Sequence, residues 1–317
     1  MPPTRRPRTI RAAGTSSSQR FVTAVMQWYE AHGRSLPWRH TRTPYRILLS
    51  EIMLQQTQVR RVLTKYPLFL RRFPSLASLA RASQREVVLS WQGMGYNNRA
   101  VRLHRLARVV VRMNRGKIPD TYESLIVLPG IGNYTANALL SAVHGRDVPA
   151  VDVNVRRLLS RAFWRLESTR QMRPEAEIQK CAERLLPKGR GYDWNQALMD
   201  IGATICTARR PECLRCPVSS YCKSRRSMSR IELAGRKAEP SLDGVPNRVY
   251  RGMIIEQLRL AGGRKSVRLD RLAKKIHPGF SRRHRAWLNG ILNDLRKDEL
   301  ITVKGNGSLK TRRVALA

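Results

Sequence analysis

The chain has 317 residues, and its 61 Lys and Arg against 22 Asp and Glu give a formal net charge of +39. With 42% hydrophobic residues it can still bury a core, so we expect a globular protein of one large or two ordinary domains. It contains no apolar run of transmembrane or secretory type, so neither a membrane partner nor a signal peptide is expected. The alternative explanation is a proteome that uses Arg in place of Lys, but such a preference would not explain why the chain has so few acidic residues. The charge therefore predicts a polyanionic partner, with nucleic acid as the first candidate.

Residues 1–20 form the first distinct segment, with five Arg, no acid and a run of hydroxyl side chains. This composition predicts a disordered basic arm. A mitochondrial transit peptide has a similar composition, but no apolar face develops before Phe21. We therefore favour the arm.

Apolar residues then recur at helical spacing, beginning with Phe21, Val25 and Trp28. Alternating strand patterns are missing and the connections are short, so this part is predicted to be all-α. Helical patterns cover residues 45–63 (as a pair), 86–91, 100–113, 122–128, 134–143, 153–163, 175–186 and 194–205.

The composition changes at residues 223–246, which are polar and basic and contain two prolines. We predict a linker over 226–246. Three helical patterns at 250–260, 269–276 and 281–295 follow, and strands at 300–303 and 312–315 flank Gly305-Asn306-Gly307. Three helices and a hairpin predict a winged-helix-like domain over 247–317. We expect the basic run from Arg282 to Arg285 to face DNA; the alternative is a basic domain that only packs.

Two motifs predict contact with DNA. Leu128-Pro129-Gly130-Ile131-Gly132 lies between two helical patterns, where a tight hairpin would present backbone N–H groups to a phosphate. The alternative is an ordinary helix–helix turn. Gln55-Gln56-Thr57-Gln58 and Gly93-Met94-Gly95-Tyr96 carry uncharged side chains that could fill the gap left by a displaced base. The alternatives are a solvated helix face and core packing.

Two carboxylates stand in unlike surroundings. Glu51 lies within the apolar helical segment 48–54, where an acid is costly unless it is partnered. Asp152 lies among Val151, Val153 and Val155, where it could stabilise a developing cation. The structural alternatives are a buried, hydrogen-bonded Glu and a helix N-cap Asp. Such a pair suits cleavage of a glycosidic bond, with one acid and one anion.

Four cysteines occur within 17 residues: Cys206, Cys213, Cys216 and Cys222. A cluster this local indicates a metal site in a reducing compartment rather than a disulfide framework. A single Cys-x2-Cys pair favours a loop around a [4Fe–4S] cluster; zinc is the alternative. Cys181 is predicted to be a buried helical residue.

Residues of about 21–225 resemble the helix-hairpin-helix (HhH-GPD) DNA glycosylase superfamily, in its endonuclease III and MutY branch. The resemblance is closest to the adenine glycosylases of the MutY type. It rests on these motifs: Leu36-Pro37-Trp38-Arg39, Ser50-Glu51-Ile52-Met53-Leu54-Gln55-Gln56-Thr57-Gln58-Val59, Gly93-Met94-Gly95-Tyr96, Leu128-Pro129-Gly130-Ile131-Gly132, Val151-Asp152-Val153-Asn154-Val155-Arg156-Arg157, Asn195-Gln196-Ala197-Leu198-Met199-Asp200 and the four cysteines.

The resemblance implies a two-lobed helical glycosylase of base excision repair that flips a base between its lobes. Glu51 matches the general acid and Asp152 the acid that stabilises the cationic sugar, while Tyr134 and Asn154 match residues that support Asp152. Tyr134 stands where strand-cleaving relatives carry a Schiff-base Lys, so no lyase step is expected. The other matched positions are Trp38, Arg39 and Gln196 in the base pocket, and Gln55 and Tyr96 as intercalating side chains.

The chain departs from the MutY pattern at Val153, where that pattern has Gly, and at Asn97, where it has a second Tyr. Residues 247–317 are expected to be winged-helix-like, and they are too short for the Nudix-like C-terminal domain that reads 8-oxoguanine in the MutY pattern. We predict a monomeric glycosylase acting on mismatched duplex DNA in a prokaryotic cytoplasm, at the nucleoid. The favoured substrate is adenine opposite guanine or 8-oxoguanine. Alternatives are thymine, uracil or hypoxanthine as the excised base, and a non-catalytic iron–sulfur DNA-binding regulator.

Overall fold

The computed structural model of the protein describes residues 16–166, 172–230, 239–262 and 266–317. These residues are mainly helical, as predicted. The helices are α1 Ser17–His32, α2 Pro44–Leu54, α3 Val59–Arg72, α4 Leu76–Arg81, α5 Gln84–Ser90, α6 Asn98–Asn114, α7 Tyr122–Ile126, α8 Asn133–His144, α9 Val153–Phe163, α10 Glu175–Leu185, α11 Gly191–Thr204, α12 Asn247–Leu260, α13 Leu269–Ile276 and α14 Arg285–Lys297. The strands are β1 Ser241–Leu242, β2 Val245–Pro246, β3 Val267–Arg268, β4 Ile301–Lys304 and β5 Arg313–Leu316.

The chain divides into two compact units. The first is built from Met1–Ser35 and Gly145–Gly235, and the second from Leu36–His144 and Arg236–Ala317. None of the described helices is both long enough and apolar enough to cross a membrane.

Helix α1 packs on α11 in the first unit, and α9 packs on α10 and α11. Phe21 contacts Phe163 at 4.9 Å between ring centroids and meets Trp194 edge-on. All the apolar side chains that point inward from these helices, together with Cys181, form one continuous core. The same core extends to Cys206 at the start of the cysteine loop, so the loop is supported by the helices beneath it.

The first helix includes the last four residues of the predicted arm. Ser16 Oγ accepts from the backbone N–H of Gln19, and the Gln19 side chain accepts from the backbone N–H of Ser16. This reciprocal cap satisfies two backbone donors and starts the helix at Ser17. Residues 1–15 of the predicted arm lie outside the described residues.

Helix α2 lies in the middle of the helices of the second unit, between α3 and α8. Eight of its eleven residues are buried, from Tyr45 to Met53. The predicted helical pair over residues 45–63 is confirmed, with the break at Gln55–Gln58. Helix α4 was not predicted from the sequence; its six residues begin at the capping residue Ser75 and pack on α6.

The C-terminal module, residues 239–317, has the predicted order of three helices and a hairpin. In its sheet β5 pairs antiparallel with both β3 and β4, and Val314 lies opposite both Val267 and Val303. The prediction of a linker over 226–246 needs correction, because β1 and β2 pair there as a short hairpin. The prediction that the whole run from Arg282 to Arg285 faces outward is also wrong in one position, since His284 is buried against His277.

Hydrogen bonds fix this module to the helices of the same compact unit. The Arg259 side chain is 7% exposed and donates to the backbone carbonyl of Val88 at 2.8 Å and to Asn97 Oδ1 at 2.9 Å. Gln84 Nε2 donates to the backbone carbonyl of Glu299 at 2.6 Å. A buried guanidinium is costly without such partners, so these contacts hold α12 in one position.

Candidate functional site

Asp152 is the N-cap residue of α9. Its Oδ1 accepts from the backbone N–H groups of Asn154 at 2.9 Å and Val155 at 2.7 Å, and its Oδ2 accepts from Asn154 Nδ2 at 2.6 Å. The alternative interpretation of Asp152 as a helix N-cap is therefore correct for the local structure. Val153 is 62% exposed, so the valines do not enclose the carboxylate as the sequence suggested. A negative charge at a helix N-terminus is favourable, and three donors hold it in one orientation.

Asn154 connects Asp152 to the deeper part of the unit. Its Oδ1 accepts from Arg157 Nη2 at 3.0 Å, while Arg157 Nε donates to the backbone carbonyl of Cys206 at 2.8 Å. Arg157 also donates to the Gly202 carbonyl at 2.6 Å. Burial lowers the pKa of Arg157, while the neighbouring Cys206 and Asp152 favour its charged form. Gly202 leaves no space for a side chain, because a Cβ there would lie 2.8 Å from Asn154 Cβ.

The four loop cysteines line one pocket with apolar neighbours that include Ile205 and Val218. Burial raises the pKa of Cys213 and Cys222, and raises that of Cys216 to about 12. Thiolates are the metal-binding form of cysteine, so a bound cation must supply the compensation for charging these thiols. Converging thiols in an apolar pocket fit an iron–sulfur cluster.

Buried Arg161 supports this loop from the helix below. Its Nη1 donates to the carbonyl of Thr207 at 2.7 Å and lies 3.5 Å from Cys206 Sγ. Cys222 Sγ in turn lies 3.3 Å from the Arg161 carbonyl. The surface of the loop is basic, because the side chains of Arg209, Arg210, Arg215, Lys223, Arg225 and Arg226 are exposed.

Glu51 and Tyr134 belong to the second unit. Glu51 is 7% exposed on α2. Tyr134 is half-buried in the first turn of α8, which packs on α2. Each residue takes part in at least one hydrogen bond, ion pair, ring contact or electrostatic interaction. The acid predicted for general catalysis and the tyrosine in place of a lysine therefore come from two neighbouring helices, whereas Asp152 and Asn154 belong to the first unit.

The predicted hairpin links α7 to α8. Gly130 has φ +84°, and a Cβ there would lie 3.2 Å from Arg102 Cβ, so the turn requires glycine on two grounds. Leu128 and Ile131 are buried beneath it. Gly132 does not have a positive φ. Its carbonyl accepts a hydrogen bond from the backbone N–H of Ala136 where α8 begins. Gly132 and Asn133 are exposed at this helix start, a position that suits a phosphate.

The predicted pocket and intercalating residues differ in accessibility. Trp38 is 6% exposed and meets Tyr66 edge-on, and Gln196 is also buried. Arg39 is half-buried. Gln55 Nε2 lies 3.5 Å from the Gly130 carbonyl and from Thr135 Oγ1, which turns it toward the hairpin. Tyr96 is 48% exposed, as intercalation requires.

Arg99 was not identified from the sequence, yet it bonds to both loops that carry the predicted intercalating residues. Its Nη1 donates to the carbonyls of Ile52, Met53 and Gln55, and its Nη2 donates to Thr57 Oγ1 and to the carbonyls of Met94 and Gly95. Burial lowers its pKa to about 10. The available signal was an Arg at the start of the apolar stripe of α6.

Comparisons with known proteins match two regions of this chain to known families. Residues 49–185 match the family model of the HhH-GPD superfamily of base excision DNA repair proteins. Residues 206–222 match the iron–sulfur binding domain of endonuclease III. A [4Fe–4S] cluster is accordingly the cofactor of this chain.

Among curated relatives, adenine DNA glycosylase from Mycobacterium tuberculosis is 38% identical over 251 residues, which are 75% of this chain and 78% of the relative. The human adenine DNA glycosylase is 39% identical over 236 residues, or 72% of this chain. The match spans only 43% of the human protein.

Among solved structures, a thermostable thymine-DNA glycosylase superposes with a TM-score of 0.61 at 30% identity. That match covers 66% of this chain and 97% of the glycosylase. A non-covalent endonuclease III–DNA complex superposes with a TM-score of 0.59 at 20% identity, covering 68% of this chain and 100% of that one. At this identity the likeness concerns the fold alone.

Proposed function

The chain belongs to the HhH-GPD superfamily of base excision DNA repair proteins, and from this we propose that it is a monofunctional DNA glycosylase that removes adenine mispaired with guanine or 8-oxoguanine. The observation that carries the proposal is Asp152, an anion held by three N–H donors at the start of a helix. Adenine as substrate is supported by the named activity of the curated relatives.

Asp152 acts on the sugar. When the N-glycosidic bond breaks, positive charge develops on the sugar ring, and a carboxylate fixed beforehand stabilises it without reorganising. The Asn154 amide holds Oδ2 and the helix N–H groups hold Oδ1. This arrangement keeps the charge in one place during the reaction.

Glu51 acts on the base. A carboxyl group in apolar surroundings suits proton donation to the leaving purine ring nitrogen, and the resulting carboxylate then takes a proton from the attacking water. Its burial on α2 supplies those surroundings. Substituting Glu51 by Gln keeps the shape of the side chain and removes its acidity, so we expect excision to be lost while the fold is retained.

Tyr134 determines which product the reaction leaves. A phenol cannot form an imine with the sugar, so the product is an abasic site in an intact strand. We therefore assign to the enzyme hydrolysis without strand cleavage. We also propose that it acts as a monomer on mismatched duplex DNA.

The ligands of the [4Fe–4S] cluster are Cys206, Cys213, Cys216 and Cys222. When bound, the cluster supplies charge compensation and four covalent links that shape the loop. The chain's own contribution is a basic loop surface that contacts DNA phosphates, and Arg161 and Arg157 beneath it.

A single-turnover panel tests the substrate assignment. Duplexes would carry A·G, A·8-oxoG, T·G, U·G or hypoxanthine, and products would be scored with and without alkali. We expect fastest release of adenine, with breakage only after alkali. Excision confined to thymine or uracil would contradict the adenine assignment.

Thymine opposite guanine is the second candidate. It is supported by the superposition on a thymine-DNA glycosylase over 97% of that structure. A non-catalytic regulator is disfavoured, because it would require neither Glu51 nor the carboxylate arrangement at Asp152.

A further inference from the structure

A cleft of about 540 Å³ opens within the second compact unit, where the C-terminal module faces the loops after α2 and before α6. Gln56 and Tyr96 lie on the loop side, and Asn247, Arg248 and Leu300 on the module side. Ligand pockets commonly measure about 300–1,000 Å³, so the cleft is large enough for a single nucleotide.

Arg248 and Glu239 form an accessible polar pair at the mouth of this cleft. Arg248 Nε donates to Glu239 Oε2 at 2.9 Å, and the two side chains are 53% and 41% exposed. The half-exposed ring of Tyr96 lines the same opening. Donors, acceptors and an aromatic surface that can stack a base are therefore presented together.

Both walls of the cleft are held in place. Gln56 and Tyr96 have φ of +54° and +43°, and Arg99 bonds to the chain next to each of them. On the module side, Arg259 fixes α12, whose first turn carries Arg248. A preorganised cleft binds with a smaller entropic cost than a mobile one.

We propose that this cleft holds an unpaired guanine of the strand opposite the excised base, with Glu239 accepting from guanine N1–H and the 2-amino group and Arg248 donating to O6. The inference rests on the proposed function, because removing a base from a mismatch leaves its partner unpaired. Only guanine, among the four DNA bases, presents two adjacent donors and one acceptor on its Watson–Crick edge. The winged-helix-like module would thereby set the preference for the opposite base.

Binding to product-like DNA tests this without requiring catalysis. Fluorescence anisotropy would compare full-length protein on duplexes with a tetrahydrofuran abasic analogue opposite guanine or inosine, which lacks only the 2-amino group. We expect wild-type protein to bind the guanine duplex about tenfold more tightly, the scale of one good base contact. In Glu239→Ala the two duplexes should bind equally.

Arg296→Ala is the control, since it alters an exposed charge of the same module outside the cleft lining. It should keep the guanine preference. Equal binding of both duplexes by wild type, or a preference that survives Glu239→Ala, would overturn the proposal. Arg248→Ala should weaken both duplexes alike, because guanine and inosine both carry O6; unchanged affinity for both duplexes would show that the proposed contact to O6 is wrong. Absence of adenine excision would instead refute the proposed function, and the panel above reports that separately.

Discussion

Arg157 donates a hydrogen bond of 2.8 Å to the backbone carbonyl of Cys206, the first cysteine of the cluster loop. The same guanidinium bonds to Asn154, whose amide holds Asp152 Oδ2. An unbroken series of hydrogen bonds thus joins a cluster ligand to the carboxylate assigned to catalysis. The loop predicted to bind the cluster is therefore connected to Asp152 through the side chains of Arg157 and Asn154.

Arg157→Ala should reduce both activity and cluster retention. It removes the donor from the buried carbonyls of Gly202 and Cys206, and an unsatisfied buried polar group costs about 1–3 kcal/mol. The rate of single-turnover excision and the visible absorbance per chain should both fall. Arg156→Ala is the matched control, because its side chain bonds instead to the Arg173 carbonyl. Wild-type rates in Arg157→Ala would show that Asn154 needs no support from it.

Asp152→Asn should abolish excision and leave duplex binding intact. The amide keeps the size of the side chain but removes the charge that stabilises the sugar cation, and losing one preorganised electrostatic group costs at least about 10²–10³ in rate. The phosphate contacts proposed for the hairpin and the basic loop do not involve this side chain. Excision by rapid quench and binding by anisotropy would separate the two effects. A mutant that still turned over at a comparable rate would remove Asp152 from the mechanism.

The local sequence was sufficient to predict α9 and its cap. The helical pattern over residues 153–163 and the Asp before it agree with the observed bounds of the helix. It was insufficient for Arg99 and Arg157, because their partners are backbone carbonyls that only the fold brings near. His284 was misplaced for the same reason. Its neighbours in sequence are exposed arginines, but its ring lies 4.7 Å from His277, a contact made across the module.

The identity of position 134 predicts an intact strand after base loss. Tyr134 cannot trap the sugar as an imine, so borohydride should yield no covalent protein–DNA adduct. Gel analysis should show cleavage only after alkali or heat. Adduct formation would mean that a lysine elsewhere in the chain reaches the sugar.

The purified protein should be brown, with about four irons per chain and a broad visible absorbance. Single Ala substitutions at Cys206, Cys213, Cys216 and Cys222 should each reduce the iron content, whereas Cys181→Ala should leave it unchanged. Cys181 is buried in the helical core away from the loop pocket, so it provides the control. Stoichiometric zinc without colour would contradict the assignment of the cluster.

The exposed arginines at the start of the last helical segment of the module should contribute to DNA affinity. Arg282 and Arg285 are exposed, while His284 between them is buried and anchors the segment. Deleting the module would be a poor test, because Arg259 and Gln84 bond across its contact with the neighbouring helices. The double variant Arg282→Ala, Arg285→Ala should instead lower the slope of log affinity against log salt by about 1.8, since each neutralised phosphate contributes about 0.9. Anisotropy titrations on a fully paired duplex at several salt concentrations would measure it, with Lys274→Ala, Lys275→Ala as the charge-matched control on α13. An unchanged slope in the arginine variant would show that this end of the module serves packing or a protein partner, and not the phosphate backbone.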